Sequence, residues 1–231
     1  MTAAPFRIGF LLFPRLTQLD FTGPFEILSR MPEAETHLVA KSHAPVDAER
    51  GLQILPTTTF ADCPPLDLIC VPGGAGVNAV IGDPETLHFL RRMAAGARYV
   101  TSVCTGSLVL GAAGLLRGRR AACHWMSREA LRAFGAEPAA ERVVIDGKFI
   151  SGGGVTAGID FALAVVDEIR GREAAETIQL MVEYDPQPPF EAGSPERASP
   201  AVLARVRGFA EPMLRERAAA VARAAAALAA D

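Results

Sequence analysis

The alternation of short apolar runs with stretches of helical spacing is the feature that most restricts the fold of this chain. The runs at 8–13, 67–71 and 99–103 have the continuous hydrophobicity of strands that are buried on both faces. Helical patterns separate or follow them, as at 84–95 and 156–169. Parallel strands require such crossover helices. The chain is therefore predicted to be α/β, with a doubly wound, mostly parallel sheet and helices on both faces.

Length and composition favour one domain. The 231 residues are half hydrophobic, which suffices for a single large core, so residues 1–231 are predicted to form one domain. The segment 185–200 is too rich in proline and glycine for a regular element and is predicted to be an arm on the surface. Residues 200–230 have helical spacing but contain Pro212, which predicts an interruption and more than one C-terminal helix.

Charge and the N-terminal sequence restrict the partners. A formal net charge of -3 leaves no basic surplus for phosphate groups, so nucleic acid is not expected as a partner. Residues 1–7 lack the basic-then-apolar order of a signal peptide, and the run at 8–13 is too short to cross a bilayer. We therefore expect a cytoplasmic protein without a membrane partner.

The four cysteines must be considered one by one. They contain no C-x-x-C pair and lie on separate elements, which argues against a zinc site and against a disulfide framework, so no metal is expected. Cys70 and Cys123 lie in apolar runs and are interpreted as inert core thiols. Cys63, beside two prolines, is interpreted as a loop residue.

Cys104 differs from these because a predicted strand ends there and a helical pattern of small residues begins. A residue at such a sharp turn projects its side chain at the end of the sheet, as the nucleophile of serine hydrolases does. The free N–H groups of a helix start also favour a thiolate, so we predict a depressed pKa for Cys104. The alternative is a small buried core cysteine, and spacing alone leaves both interpretations open.

The glycine turn at Gly73 and Gly74 is a second candidate. Its N–H groups, together with that of Thr105, form a possible oxyanion pocket, and the alternative is a plain turn. Residues 74–79 also fit a loose G-x-G-x-x-A pattern for dinucleotides. That interpretation is rejected because the acidic residue expected about 20 positions later, at the end of the next strand, is missing.

Three further side chains are candidates for moving protons. Asp20 follows the first strand and is expected near the carboxyl ends of the strands, or alternatively in a local turn or N-cap. A helix is predicted to open at Gly23 and Pro24, which places Glu26 in its first turn, where an acid is favoured for structural reasons. His124 ends a strand and is a secondary candidate.

With these residues identified, the chain resembles the DJ-1/PfpI superfamily along nearly its whole length, and within it the isocyanide hydratases most closely. The matching segments are 9–14, 18–24, 62–67, 72–74, 101–111, 153–162 and the end of the proline-rich arm at 192–195. The resemblance implies a flavodoxin-like sheet, a homodimer, a nucleophilic cysteine at Cys104 and no cofactor. Many relatives place a glutamate against that cysteine, whereas the hydratases resemble this chain in having an aspartate, here Asp20. Thr105 stands where the protease-like branch has a histidine, so a peptidase dyad is not expected.

The resemblance also implies a mechanism with an isocyanide, R–N≡C, as the small-molecule substrate. Cys104 attacks the terminal carbon to give a thioimidate, Asp20 moves the protons, and water releases an N-substituted formamide. Thr105 orients the acid or the intermediate, while Gly73 and Gly74 shape the pocket.

Val155 and Thr156 are predicted to complete that pocket.

The Cys104 thiol also fits two alternative functions. One is a glyoxalase or deglycase of the DJ-1 type, and the other is a redox-sensing regulatory protein whose cysteine is oxidised.

Overall fold

A computed structural model describes residues 4–230 of the chain. The strands are β1 Phe6–Leu11, β2 Ala34–Ala40, β3 Val46–Asp47, β4 Gln53–Ile54, β5 Thr58–Thr59, β6 Leu68–Val71, β7 Tyr99–Val103, β8 Arg120–Ala122, β9 Glu137–Ala139, β10 Val143–Asp146 and β11 Phe149–Gly152. The helices are α1 Gln18–Leu28, α2 Val77–Val80, α3 Pro84–Gly96, α4 Gly106–Ala112, α5 Ala157–Arg170, α6 Arg172–Met181 and α7 Pro200–Ala230, with 3-10 turns at Glu49–Gly51 and Arg128–Phe134.

The main sheet has seven strands in the order β10-β11-β7-β6-β1-β2-β5. All neighbours are parallel except β10 and β11, which are antiparallel. The inner order β2-β1-β6-β7-β11 is that of flavodoxin-like sheets, so the predicted fold class is confirmed. The direction of winding changes between β1 and β6, and ligand sites in such sheets lie beyond the carboxyl ends of the strands at that point.

The core follows from the continuous apolar sequence of the central strands. Ile8, Phe10, Leu68 and Val100 are fully buried between the helices on the two faces of the sheet. Such strands have no polar side to present to water, which is why they occupy the middle of a parallel sheet.

Two short apolar regions of the sequence form strands that lie outside the main sheet. Residues 52–55 contribute only β4, which pairs with β3 in a separate antiparallel hairpin. Residues 120–125 contribute β8, which pairs with β9. Both regions contain short apolar runs, and a short run does not by itself show which strand it will pair with.

The start of α1 corrects the predicted opening at Gly23 and Pro24, because the helix begins at Gln18 and Pro24 lies inside it. The proline ring packs on α5, where a Cβ added to Gly158 would lie 3.1 Å from Pro24 Cδ. Tertiary packing therefore offsets the loss of one helical hydrogen bond. Asp20 consequently lies in the first turn of α1 rather than before the helix.

The C-terminal region also differs from the prediction. Helix α7 is continuous from Pro200 to Ala230 and passes through the exposed Pro212, where an interruption was expected. The segment 185–199 connects α6 to α7 without regular helix or strand. Among residues 4–230, no helix combines the length and the apolar composition needed to cross a membrane.

Candidate active site

Cys104 follows β7 in a backbone conformation that side chains rarely adopt, with φ 58°. Its N–H donates to the Gly152 carbonyl of β11 at 3.0 Å, and Ser107 Oγ donates to its carbonyl at 3.2 Å. A Cβ added to Gly106 would lie 2.0 Å from the Val71 carbonyl oxygen, so only glycine permits this approach to β6. The strained turn is thus held by its neighbours, as is typical of functional sites.

Asp20 is fully buried in the first turn of α1. Its Oδ2 accepts a hydrogen bond from the Gly73 N–H at 3.0 Å, while Oδ1 has no N–H or O–H partner in the described part of the chain. The carboxyl also interacts with the Cys104 thiol. Burial raises the pKa of Asp20 to about 7, against the opposing effects of the thiol and the Gly73 N–H, and the charge of Glu49 raises it further.

The predicted depression of the Cys104 pKa is wrong for this arrangement. Burial and the neighbouring Asp20 carboxyl raise the pKa of Cys104 above its usual value, and the Thr105 N–H lowers it only in part. As the pH rises, Asp20 therefore loses its proton before Cys104 does, and above about pH 7 the pair holds one proton, which lies on the thiol.

The glycine turn does not offer the free donors that an oxyanion pocket needs. Gly73 N–H already donates to Asp20, and Gly74 N–H donates to Thr105 Oγ1 at 3.0 Å. The Thr105 N–H instead interacts with the Cys104 sulfur. The structure thus brings Gly73, Gly74 and Thr105 to the thiol, but the two glycines position Asp20 and Thr105 rather than bind an anion.

A cavity of about 320 Å³ opens beside Cys104. Val155, a predicted pocket residue, lines it together with the secondary candidate His124, whereas Thr156 is exposed and its Oγ1 accepts a hydrogen bond from Arg142 at 3.4 Å. Thr156 is therefore corrected to a surface residue. The residues lining the cavity are Arg15, Thr17, Glu49, Gly74, Ala75, Cys104, Thr105, His124, Met126, Val155, Phe209, Ala210, Met213 and Arg217.

Glu26 lies outside this arrangement. It is exposed and pairs with Arg30, which lies just past the C-terminal end of α1. Because α1 begins at Gln18, Glu26 is not in its first turn and points to solvent, so it is corrected from a possible acid to a surface residue. Asp20 is the carboxyl that meets the thiol.

Comparison with known proteins places this site in a family. Residues 6–168 match the sequence model of the DJ-1/PfpI family. The chain belongs to the DJ-1/PfpI family. It is 55% identical over 222 residues to an isonitrile hydratase of Pseudomonas putida, covering 96% of this chain and 97% of that protein.

Two solved structures extend the comparison to the fold. A THiJ/PfpI family protein from Pseudomonas syringae superposes with a TM-score of 0.92 at 44% identity, over 94% of this chain and 91% of the other. Drosophila melanogaster DJ-1beta superposes with a TM-score of 0.71 at 22% identity, over 79% of this chain and 100% of the other. The second likeness supports the fold alone.

In this DJ-1/PfpI chain, three charged residues of the cavity were not predicted from the sequence, namely Arg15, Glu49 and Arg217. Glu49 comes from the loop after β3, and Arg217 comes from α7. No local motif marks Glu49. Arg217 shares helical spacing with the buried Ala220, Val221 and Ala224, and this pattern was the available signal that a charge lies on the buried face of α7.

The other thiols of the chain are less suited to chemistry. Burial raises the pKa of Cys70 to about 12 and that of Cys123 to about 11. The pKa of Cys63 is raised to about 11 by the same cause. Cys123 nevertheless lies close enough to Cys104 for its charge to raise the pKa of Cys104. Burial and the charge of Arg217 lower the pKa of His124, which favours its neutral form.

Proposed function

We propose that this chain is an isocyanide hydratase, which adds water to R–N≡C and releases an N-substituted formamide. Isonitrile and isocyanide name the same group. The observation that carries the proposal is the identity of 55% to an isonitrile hydratase, because it extends over 96% of the chain and therefore over α7. The pairing of a cavity-lining thiol with a buried carboxyl supplies the chemistry that such a reaction needs.

The first half of the reaction uses the single proton of the Cys104–Asp20 pair. Above about pH 7 the carboxylate of Asp20 takes the thiol proton as the sulfur attacks the terminal carbon of the isocyanide. A C–S bond forms, and one C–N bond of the triple bond becomes a lone pair on nitrogen. Asp20 then delivers the same proton to the carbon, which gives the thioimidate R–N=CH–S–Cys104.

The second half of the reaction consumes water. The regenerated carboxylate of Asp20 takes a proton from a water molecule as the water oxygen attacks the thioimidate carbon, and Asp20 then passes this proton to the nitrogen, which gives R–NH–CH(OH)–S–Cys104. Asp20 takes the hydroxyl proton of this adduct as the C–S bond breaks and R–NH–CHO leaves, and it returns that proton to the sulfur. Atoms balance, since one isocyanide and one water give one formamide.

The donors around the thiol favour an isocyanide over a carbonyl substrate. Attack on a carbonyl places negative charge on oxygen, which requires free N–H groups, and those of Gly73 and Gly74 are already donating to Asp20 and Thr105. Attack on an isocyanide places charge on a carbon that Asp20 can protonate. This argues against the glyoxalase or deglycase alternative. A redox sensor requires an accessible thiol of low pKa, whereas Cys104 is 5% exposed and its pKa is raised.

The decisive experiment incubates the purified protein with phenyl isocyanide and measures N-phenylformamide by chromatography. The expected result is multiple turnovers per protein molecule. A parallel incubation with methylglyoxal is expected to give no lactate. Lactate formation without formamide would replace the proposal by the glyoxalase alternative, and the absence of both products would leave the redox-sensing alternative.

We further propose a cytoplasmic homodimer. Three large apolar side chains, Leu180, Phe190 and Phe209, are about four-fifths exposed on the single chain, at 82%, 79% and 81%. Apolar groups exposed to this extent, on α6, the arm and α7, are typical of surfaces that another protein copy covers. Sedimentation at micromolar concentration is expected to give a single dimeric species, and a monomer would contradict this proposal.

A further inference from the structure

The peptide group between Gly74 and Ala75 is held at both polar ends by side chains of opposite charge. Its carbonyl oxygen accepts a hydrogen bond from Arg217 Nη2 at 3.0 Å, and its N–H donates to Glu49 Oε1 at 3.0 Å. Hydrogen bonds to charged groups are about twice as strong as neutral ones. The two ions therefore fix the plane of this one peptide group.

Arg217 is buried to an unusual degree for an arginine, with 4% exposure. Its remaining contacts are with neutral groups, since Nε donates to Asn78 Oδ1 at 2.9 Å and Nη1 to Ser127 Oγ at 2.8 Å. None of the ion pairs found within residues 4–230 includes Arg217. A buried cation without a carboxylate in contact is costly, and mere packing of α7 does not require one.

Glu49 connects the same peptide group to the helix that carries Asp20. Its second oxygen accepts a hydrogen bond from Thr17 Oγ1 at 2.9 Å, and Thr17 is the residue before α1. The Thr17 N–H in turn donates to the Gly73 carbonyl at 2.9 Å. Glu49 thus joins the β6 turn to the start of α1.

We propose that Arg217 and Glu49 act together as positioning residues, here called the Arg217–Glu49 clamp. By fixing the Gly74–Ala75 peptide they place Gly74 N–H against Thr105, beside Cys104, and hold the first turn of α1, which bears Asp20. The effect on turnover rests on the proposed function. The effect on the reactivity of Cys104 rests on the geometry alone and does not require an isocyanide.

The two charges of the clamp act on the reacting pair with opposite sign. The Glu49 carboxylate raises the pKa of Asp20, and the Arg217 cation is stabilised by negative charge on Cys104. Other titratable or charged groups around the pair are Arg15 and His124 in the cavity and the neighbouring Cys123 thiol. Removing the positive charge should therefore make Cys104 react only at higher pH, and removing the negative charge should make it react at lower pH.

The test compares full-length Arg217→Gln, Glu49→Gln and the double variant. Arg223→Gln is the matched control, because Arg223 is an exposed arginine of the same helix. One readout is the rate at which iodoacetamide alkylates Cys104 as a function of pH, followed by mass spectrometry of the intact protein. The other is kcat/KM with phenyl isocyanide. Thermal unfolding of every variant checks that it is folded at the assay temperature.

Each single variant is expected to lower kcat/KM by about 10- to 100-fold, the cost of a slightly misplaced catalytic group. The double variant should be little worse than either single one, because the two residues hold one peptide group. The alkylation midpoint should move by on the order of one pH unit, upward for Arg217→Gln and downward for Glu49→Gln. It should return close to the wild-type midpoint in the double variant, and the control should change neither readout.

Several outcomes would overturn the clamp. The first is a double variant whose loss of kcat/KM equals the product of the two single losses. The second is a pair of single variants whose alkylation midpoints move in the same direction. The third is an Arg217→Gln protein with the same kcat/KM and midpoint as Arg223→Gln. Arg217→Lys keeps the positive charge but loses the three directed hydrogen bonds of the guanidinium group. It should therefore keep the wild-type alkylation midpoint of Cys104 but hydrate phenyl isocyanide more slowly. Wild-type turnover in Arg217→Lys would also overturn the proposal. If wild-type protein fails to hydrate isocyanides while the midpoints still move in opposite directions, the proposed function is wrong and the clamp stands.

Discussion

Cys70, on β6, and Cys104, just after the neighbouring strand β7, are similarly buried and differ in backbone conformation and in what surrounds the sulfur. Cys70 lies inside β6, paired in register with Thr101 of β7, and its pKa of about 12 keeps it a neutral thiol. Cys104 lies just past the end of β7 at φ 58°, with a carboxyl on one side and a cavity on the other. The comparison teaches that position relative to the strand end, and not burial, separates a structural thiol from a candidate nucleophile.

The largest expected effect separates the two thiols directly. Cys104→Ala should abolish formamide production, because no other group in the cavity can form the thioimidate. Cys70→Ala should retain near wild-type turnover and lose only about 1 kcal/mol of unfolding free energy through a small cavity. Steady-state turnover and intact-protein mass spectrometry check both. Wild-type activity in Cys104→Ala would remove the basis of the mechanism.

The next effect concerns the carboxyl beside Cys104. Asp20→Asn keeps the acceptor for Gly73 N–H but can neither take nor give the proton, so turnover should fall by about 10²–10⁴-fold. Alkylation of Cys104 by a generic reagent should persist. Glu26→Gln is the control on the same helix and should have wild-type activity. If the two variants behaved alike, Asp20 would be a turn residue.

Asp20 should also affect stability in a pH-dependent way. Its pKa rises from 3.8 in the unfolded chain to about 7 on folding, so ionisation of the folded protein costs up to about 4 kcal/mol at alkaline pH. That cost is absent below the unfolded pKa and complete above the folded one. Asp20→Asn should therefore be more stable than wild type in urea unfolding at about pH 8, and the gain should vanish near pH 4. An equal gain at both pH values would contradict the raised pKa.

The smallest effect is in the pH profile of the wild-type enzyme. The thiol needs the carboxylate of Asp20 as its base, so kcat/KM should be constant above about pH 7 and fall about tenfold per pH unit below it. The Asp20→Asn protein should lack this inflection. A wild-type profile that is flat through pH 7 would show that Asp20 does not control the reactivity that distinguishes Cys104 from Cys70.

The central strands and the turn at Cys104 could be predicted from the sequence, because the patterns that indicate them lie within short stretches of the chain. The apolar runs predicted the central strands to within two residues, and small residues after 103 marked the turn at Cys104. The start of α1 and the continuity of α7 were predicted wrongly. Proline usually begins or interrupts a helix, whereas Pro24 lies inside α1 and Pro212 lies inside α7. Packing of Pro24 against Gly158 explains the first exception, and it joins residues 134 positions apart, beyond the reach of any local pattern.

The sequence by itself determined the fold class and the place of Cys104 at a strand end, because periodicity and breakers act over short stretches, and the resemblance to the DJ-1/PfpI superfamily implied Asp20 as the acid. Only the tertiary structure decided which N–H groups were already bonded, that burial raises the pKa values of both Asp20 and Cys104, and that Thr156 faces away. The same holds for Arg217, whose bond to Gly74 joins residues 143 positions apart. Burial and hydrogen-bond partners are properties of all the elements packed together, and no single stretch of sequence contains them.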